Sequence, residues 1–211
     1  MRALGIIIFL AALSAGLSAQ EKYQLDKAHS SITFEASHVV VMPEVSDDEE
    51  DAFITVGTTN GSFKDFDIEF DPGSADFEKA KLKVTIQAAS LTTENEARDA
   101  HLKSKDFLDT PTYSTIVFSS TNFTMVAPEL LKVTGDLTMK GVTKTVSFDI
   151  RVLGISKDNN KNSYMSFEGE TDLDRLEFGL RWNDLLENGA FRISNYIKVK
   201  VQANLVEDRA S

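Results

Sequence analysis

Apolar and polar residues alternate with period two along most of this chain. Ile32, Phe34 and Ala36 share one side of an extended segment over residues 23–41, and Thr33, Glu35 and Ser37 share the other. Such alternation marks a strand with one dry and one wet face. The rhythm returns at residues 66–70, 81–88, 115–119, 133–139, 146–152, 165–167 and 197–205. Asn60-Gly61, Asp71-Pro72-Gly73, Lys140-Gly141, Asp158-Asn159-Asn160 and Asn188-Gly189 supply turn chemistry, and Asn60-Gly61 is the strongest hairpin signal among them. One segment breaks the pattern. Thr93-Glu94-Asn95-Glu96 reads as a capping box with Thr93 as N-cap, and Ala97, Ala100 and Leu102 follow at helical spacing. This predicts one short helix over about 94–103, outside the sheet.

About eight strands, one helix and no internal repeat predict an all-β protein built on a single antiparallel sheet. Closing that sheet into a barrel removes its edges. An eight-stranded barrel is either filled by its own side chains or holds one small ligand.

The N-terminus changes the domain picture. Met1-Arg2, an apolar run from residue 3 to 13 and small residues up to Ala19 read as a secretory signal over 1–19. Residues 20–211 then form a single barrel domain, expected to be periplasmic or secreted. Residues 46–51 carry five consecutive carboxylates. They lack the alternating ligands and glycine of a calcium loop and read as a solvated acidic loop.

With 33 acidic and 22 basic residues, the net charge is −11. That argues against nucleic-acid partners and anionic lipid surfaces, and no later segment reaches transmembrane length. The absence of cysteine excludes disulfides, a thiol nucleophile and Cys-ligated metals. His29, His38 and His101 match no metal spacing. His29 reads as a turn tie. His38 shares the parity of Phe34 and Ala36, so it is either a satisfied rim histidine or a donor to a ligand head group. Asp99 and His101 diverge on a helix. Asp172 and Asp174 sit two apart in an extended segment and could pair as carboxylates; beside Arg175 they read instead as a surface ion pair. No constellation for nucleophilic or acid–base catalysis is assembled. The chain therefore reads as a non-enzyme without cofactors.

Fourteen phenylalanines stand against four tyrosines and one tryptophan. Phenylalanine has no polar handle and suits a dry interior. Inward positions mix Phe34, Phe118, Phe148 and Phe167 with Ala36, Ala88, Gly135 and Gly169. Composition alone favours a filled core, whereas long strands with small inward residues would leave an elongated apolar cavity.

Several segments together carry a resemblance. They are Tyr23-Gln24-Leu25-Asp26-Lys27-Ala28-His29-Ser30 with Ile32, Phe34 and His38; Gly61-Ser62-Phe63-Lys64-Asp65-Phe66-Asp67; Arg98-Asp99-Ala100-His101-Leu102-Lys103-Ser104-Lys105-Asp106-Phe107; Gly135-Asp136-Leu137-Thr138-Met139-Lys140-Gly141-Val142-Thr143; and Phe178-Gly179. In order and spacing they resemble the YceI-like family over about residues 23–206. Glu177 stands where that family commonly has Asp, and the acidic stretch 45–52 departs from its pattern. The resemblance implies an eight-stranded, lipocalin-like antiparallel barrel with one short helix. It also implies a periplasmic pocket for a polyisoprenoid or another long-chain amphiphile, such as an isoprenoid quinone. It implies no catalytic residues. In this reading Arg98, Asp99, His101 and Asp106 pin the helix across one barrel end.

The residues expected to line the pocket are Phe34, Ala36, His38, Leu82, Val84, Ile86, Ile116, Phe118, Leu137, Phe148 and Phe167. The bound partner would be an amphiphilic lipid. Two other readings stand beside this one: an enzyme acting on a lipid-like substrate, and a structural or stress barrel with no ligand. A homodimer through an edge or outer face is open.

Overall fold

Strands form wherever the period-two pattern runs, and they close into an eight-stranded antiparallel barrel. The structure is a computed structural model that describes residues 22–42, 52–73, 77, 79–159, 162–182 and 191–208. The expected leader, the acidic run and the expected Asn188-Gly189 turn lie outside the described residues. The strand segments are β1 (Lys22–Leu25), β2 (Ser31–Met42), β3 (Ala52–Phe63), β4 (Phe66–Asp71), β5 (Lys81–Gln87), β6 (Leu91–Thr92), β7 (Thr115–Ala127), β8 (Leu130–Met139), β9 (Val142–Lys157), β10 (Ser163–Asp174) and β11 (Phe191–Asp208). Among the described residues one α-helix, α1 (Glu96–Lys103), lies between β6 and β7.

Eleven segments make eight barrel strands because three strands are broken. β1 and β2 are one strand interrupted by a 3-10 turn at Lys27–His29, and both halves pair with β11. Asp26 accepts from Ala28 N at 3.1 Å and sits 2.7 Å from His29 Nδ1, so His29 does tie a turn. β3 and β4 form the next strand, bent at Lys64-Asp65. β5 and β6 form the third, bent at the 3-10 turn Ala88–Ser90. Meander connections then run from β7 to β11, and β1 closes the ring between β4 and β11.

Two local expectations are corrected. Asn60-Gly61 is not a hairpin turn but lies inside β3, where Gly61 faces Phe34 across the sheet. A Cβ on Gly61 would lie 2.1 Å from Phe34 Cζ, so the ring occupies the space a side chain would need. Lys140-Gly141 does form a two-residue hairpin turn, with φ of 49° and 75° as a mirror-image turn requires. The helix starts at Glu96 rather than Glu94, and its N-cap is Asn95, whose Oδ1 accepts from Arg98 N at 3.0 Å. Glu94 has φ 58°, outside the right-handed helical region. Thr93 instead turns its hydroxyl to the helix side chains: Oγ1 donates to Asp99 Oδ1 at 2.6 Å and accepts from Arg98 Nε at 2.7 Å.

The outer face carries charged cross-strand pairs, such as Lys83–Glu69 at 3.3 Å, Lys132–Asp149 at 2.9 Å and Lys198–Glu170 at 2.8 Å. Apolar residues point in. That polarity is the reverse of a membrane-spanning barrel, whose outer band is apolar. No helix among the described residues is long and apolar enough to cross a membrane.

Candidate functional site

The interior has two unlike ends. At the end where β1, β4 and the β7–β8 turn meet, rings converge. Phe70 stands 5.1 Å from Phe167 edge-on, 6.2 Å from Phe77, 6.3 Å from Phe123 and 6.5 Å from Tyr23, measured between centroids. Phe77, from the segment joining β4 and β5, is 1% exposed, and Leu131, Val133, Met165 and Leu205 are equally dry. This is a packed floor.

Above the floor the barrel encloses a cavity of about 370 Å³, within the size range of small-molecule pockets. Its walls come from alternate residues of every strand around it. Phe34, Ala36 and His38 project from β2; Leu82, Val84 and Ile86 from β5; Ile116 and Phe118 from β7; Leu137 from β8; Phe148 from β9; and Phe167 from β10. All eleven residues expected from the sequence thus line one space. Gly135 plays a similar part diagonally: it pairs with Ser120, and a Cβ there would lie 2.5 Å from Phe118 Cζ. Phe34 and Phe118 therefore lie over glycines of the wall, which keeps the axis open.

The far end is roofed by α1 and the segment after it. Arg98, His101, Leu102, Phe107, Leu108 and Trp182 all border the cavity. His101, Phe107 and Trp182 form a tight aromatic triad with centroid separations of 4.7 to 5.2 Å. His101 Nε2 is 3.1 Å from Asp106 Oδ2. Asp99 anchors the helix start, accepting from Thr92 Oγ1 at 2.8 Å, Thr93 N at 2.7 Å and Thr93 Oγ1 at 2.6 Å. Burial pushes the Asp99 carboxyl up, and the bonds from Thr93 and Thr92 more than offset that, so it sits below its ordinary value. Asp99 and His101 do diverge, each with its own partners. Periodicity pointed to the walls but not to this roof, whose residues come from a helix and an irregular segment. The resemblance of the Arg98–Phe107 stretch to the family motif was the signal that marked it.

His38 reaches the upper cavity, where its Nε2 sits 3.0 Å from Thr59 Oγ1. The expected surface ion pair at Arg175 is overturned. Arg175 is 2% exposed, and its guanidinium is held by main-chain carbonyls: Ser194 at 2.9 Å, Trp182 at 3.0 Å, Ile193 at 3.2 Å, and Leu180. Asp174 turns away to cap the next 3-10 turn, accepting from Leu176 N at 2.9 Å. Arg175 therefore stitches the Leu180–Trp182 stretch to the β11 bulge between Ile193 and Ile197. Burial pushes its guanidinium below its ordinary value. Among the described residues, no three His, Asp or Glu side chains converge as a metal site.

Comparison with known proteins agrees with this architecture. The profile of the YceI-like domain matches residues 23–205. Two UPF0312 proteins of Staphylococcus aureus are each 32% identical over 182 residues, covering 86% of this chain and 95% of the relative. Among solved structures, a Campylobacter jejuni YCEI protein aligns with TM-score 0.58 at 29% identity, covering 76% of this chain and 93% of that one. Burkholderia cenocepacia BcnA aligns with TM-score 0.61 at 22% identity, over 86% of this chain and 98% of that one. A polyisoprenoid binding domain from Saccharophagus degradans aligns with TM-score 0.60 at 16% identity, over 88% and 98%. The last two speak to the fold alone.

Proposed function

The chain belongs to the YceI-like family, and from that premise we propose that it is an exported carrier that holds a polyisoprenoid or similar long-chain amphiphile in its barrel. The observation that carries this reading is the cavity itself: apolar walls from strands all round the barrel above a floor of phenylalanines. Removing a chain from water contributes about 0.8 kcal/mol per buried CH₂, so a few isoprene units offset the cost of ordering it. The name of the Saccharophagus neighbour, a polyisoprenoid binding domain, supports this class of ligand. The leader over residues 1–19 supports export to the periplasm or outside the cell, with the carrier moving or storing lipid there.

Binding rather than catalysis fits the polar groups around the cavity. His38 meets the Thr59 hydroxyl, but among the described residues no third side chain orients its ring as a nucleophile–base pair requires, and Asp174 is bonded to a backbone N–H. The test is to express the protein in its native compartment, extract it with organic solvent and identify the extract by mass spectrometry. A long-chain amphiphile at about one per protein is expected. An extract free of lipid, from protein that also takes up no added isoprenoid quinone, removes the reading.

A further inference from the structure

The charges around the cavity do not follow those of the chain. The whole sequence carries 33 acidic against 22 basic residues. Yet the charged residues bordering the cavity, among the described residues, are Arg98, Arg175 and Glu170. Glu170 spends its carboxylate on the outer face, where Lys198 Nζ lies at 2.8 Å and Lys200 Nζ at 3.2 Å. Two guanidiniums remain for the cavity, and neither forms an ion pair among the described residues.

Both guanidiniums belong to the roof. Arg98 stands one turn before His101 on α1, His101 packs on Trp182, and the Trp182 carbonyl accepts from Arg175. Arg98 gives Nε and Nη2 to Thr93, at 2.7 and 3.1 Å, and its Nη1 has no partner among the described residues. Arg175 is held by main-chain carbonyls, with the Asp174 carboxylate acting on it from the next residue, and it borders the same space. At the opposite end, Phe70 and Phe167 offer nothing polar. An amphiphile therefore has one favourable orientation: tail on the floor, head under the roof. A guanidinium only donates, and it donates best to an anion. A cationic head would need an open ring face. The His101 ring instead meets Phe107 and Trp182 edge-on, at 86° and 90°, and the two arginines repel a cation.

We infer that the roof end is a head-group site for an acidic amphiphile, a long-chain phosphate or carboxylate bonded by Arg98 in the field of Arg175. The inference rests on the lipid-holding reading above and adds the chemistry and direction of the head.

Trp182 is the one tryptophan of the chain and borders this end, so its fluorescence reports occupancy. The mature protein is titrated with farnesyl phosphate, farnesol, farnesylamine and oleate. Farnesyl phosphate is expected to bind roughly tenfold tighter than farnesol, the gain of one charge-assisted hydrogen bond. That preference should shrink at about 1 M salt, where screening reaches ~3 Å. Arg98→Gln should erase most of it, and Arg98→Lys should restore part. If the Gln variant does not fold, the salt dependence of the unmodified protein decides. Oleate separates the sources: tight oleate with weak farnesyl phosphate assigns a carboxylate head, the converse assigns a phosphate, and either supports the site. Farnesol or farnesylamine binding as tightly as farnesyl phosphate overturns the head-group site and leaves the carrier standing. Failure of all four probes removes the carrier reading and this one together.

Discussion

The floor and the wall of the barrel are made from the same residue type with opposite results. At the floor, Phe70, Phe77, Phe123 and Phe167 meet one another and exclude space. In the wall, Phe34 and Phe118 also meet rings, Phe63 at 5.7 Å and Phe148 at 5.2 Å, but each lies over a glycine and leaves space. The difference lies beneath the ring: Gly61 and Gly135 leave the space that Phe34 and Phe118 occupy. Hollowness is therefore set site by site, by what lies under each aromatic, rather than by how many aromatics the chain has.

That contrast can be broken from either side, starting at the floor. Phe70→Ala removes the ring that four others touch, and is expected to cost about 3–5 kcal/mol, as buried Phe truncations do. Urea unfolding measures it. Phe34→Ala, on a half-buried ring facing the cavity, should cost less than half as much in the same assay, and an equal cost would mean the wall is packed like the floor. Gly61→Val sharpens the comparison. It drives the Phe34 ring off the wall into the cavity, costs about 1–3 kcal/mol by overpacking, and should expel bound lipid from purified protein. Lipid retained at wild-type occupancy would show that the axis has room for both.

The roof responds more gently. Asn95→Ala should cost about 1 kcal/mol, seen as faster amide exchange confined to α1. Acid acts on the same helix through Asp99. Because its folded pKa is depressed, its contribution is present above the ordinary carboxylate range and is lost as pH falls through the folded value. α1 should thus hold from neutral pH down past about pH 4 and loosen below it. Asp99→Asn, by exchange at α1, should lack that acid step.

How legible these regions were from the sequence follows the same divide. Alternation placed Phe34, Leu82, Phe118 and Phe148 on one interior, since period two needs no knowledge of partners. β3 escaped it. Thr58-Thr59-Asn60-Gly61 is polar and turn-like in sequence, and becomes strand only because Gly61 accommodates Phe34 and Thr59 meets His38. The roof was hidden for another reason. Thr93 looked like a cap by spacing, but its hydroxyl has better partners in Asp99 and Arg98. Arg175 looked exposed beside two aspartates, yet carbonyls from residues 180, 182, 193 and 194 claim it. Contacts made by irregular backbone carry no periodicity, so no reading of spacing recovers them.

The ring is sealed where β1 meets β11, pairing Leu25 with Leu205. That seam continues along β2, and the others join stretches much nearer along the polypeptide. During synthesis or threading, the opening half of the chain must therefore wait, unsealed, for β11 to emerge. Contacts this remote in sequence make folding slow, and the vessel acquires an inside only at its final step.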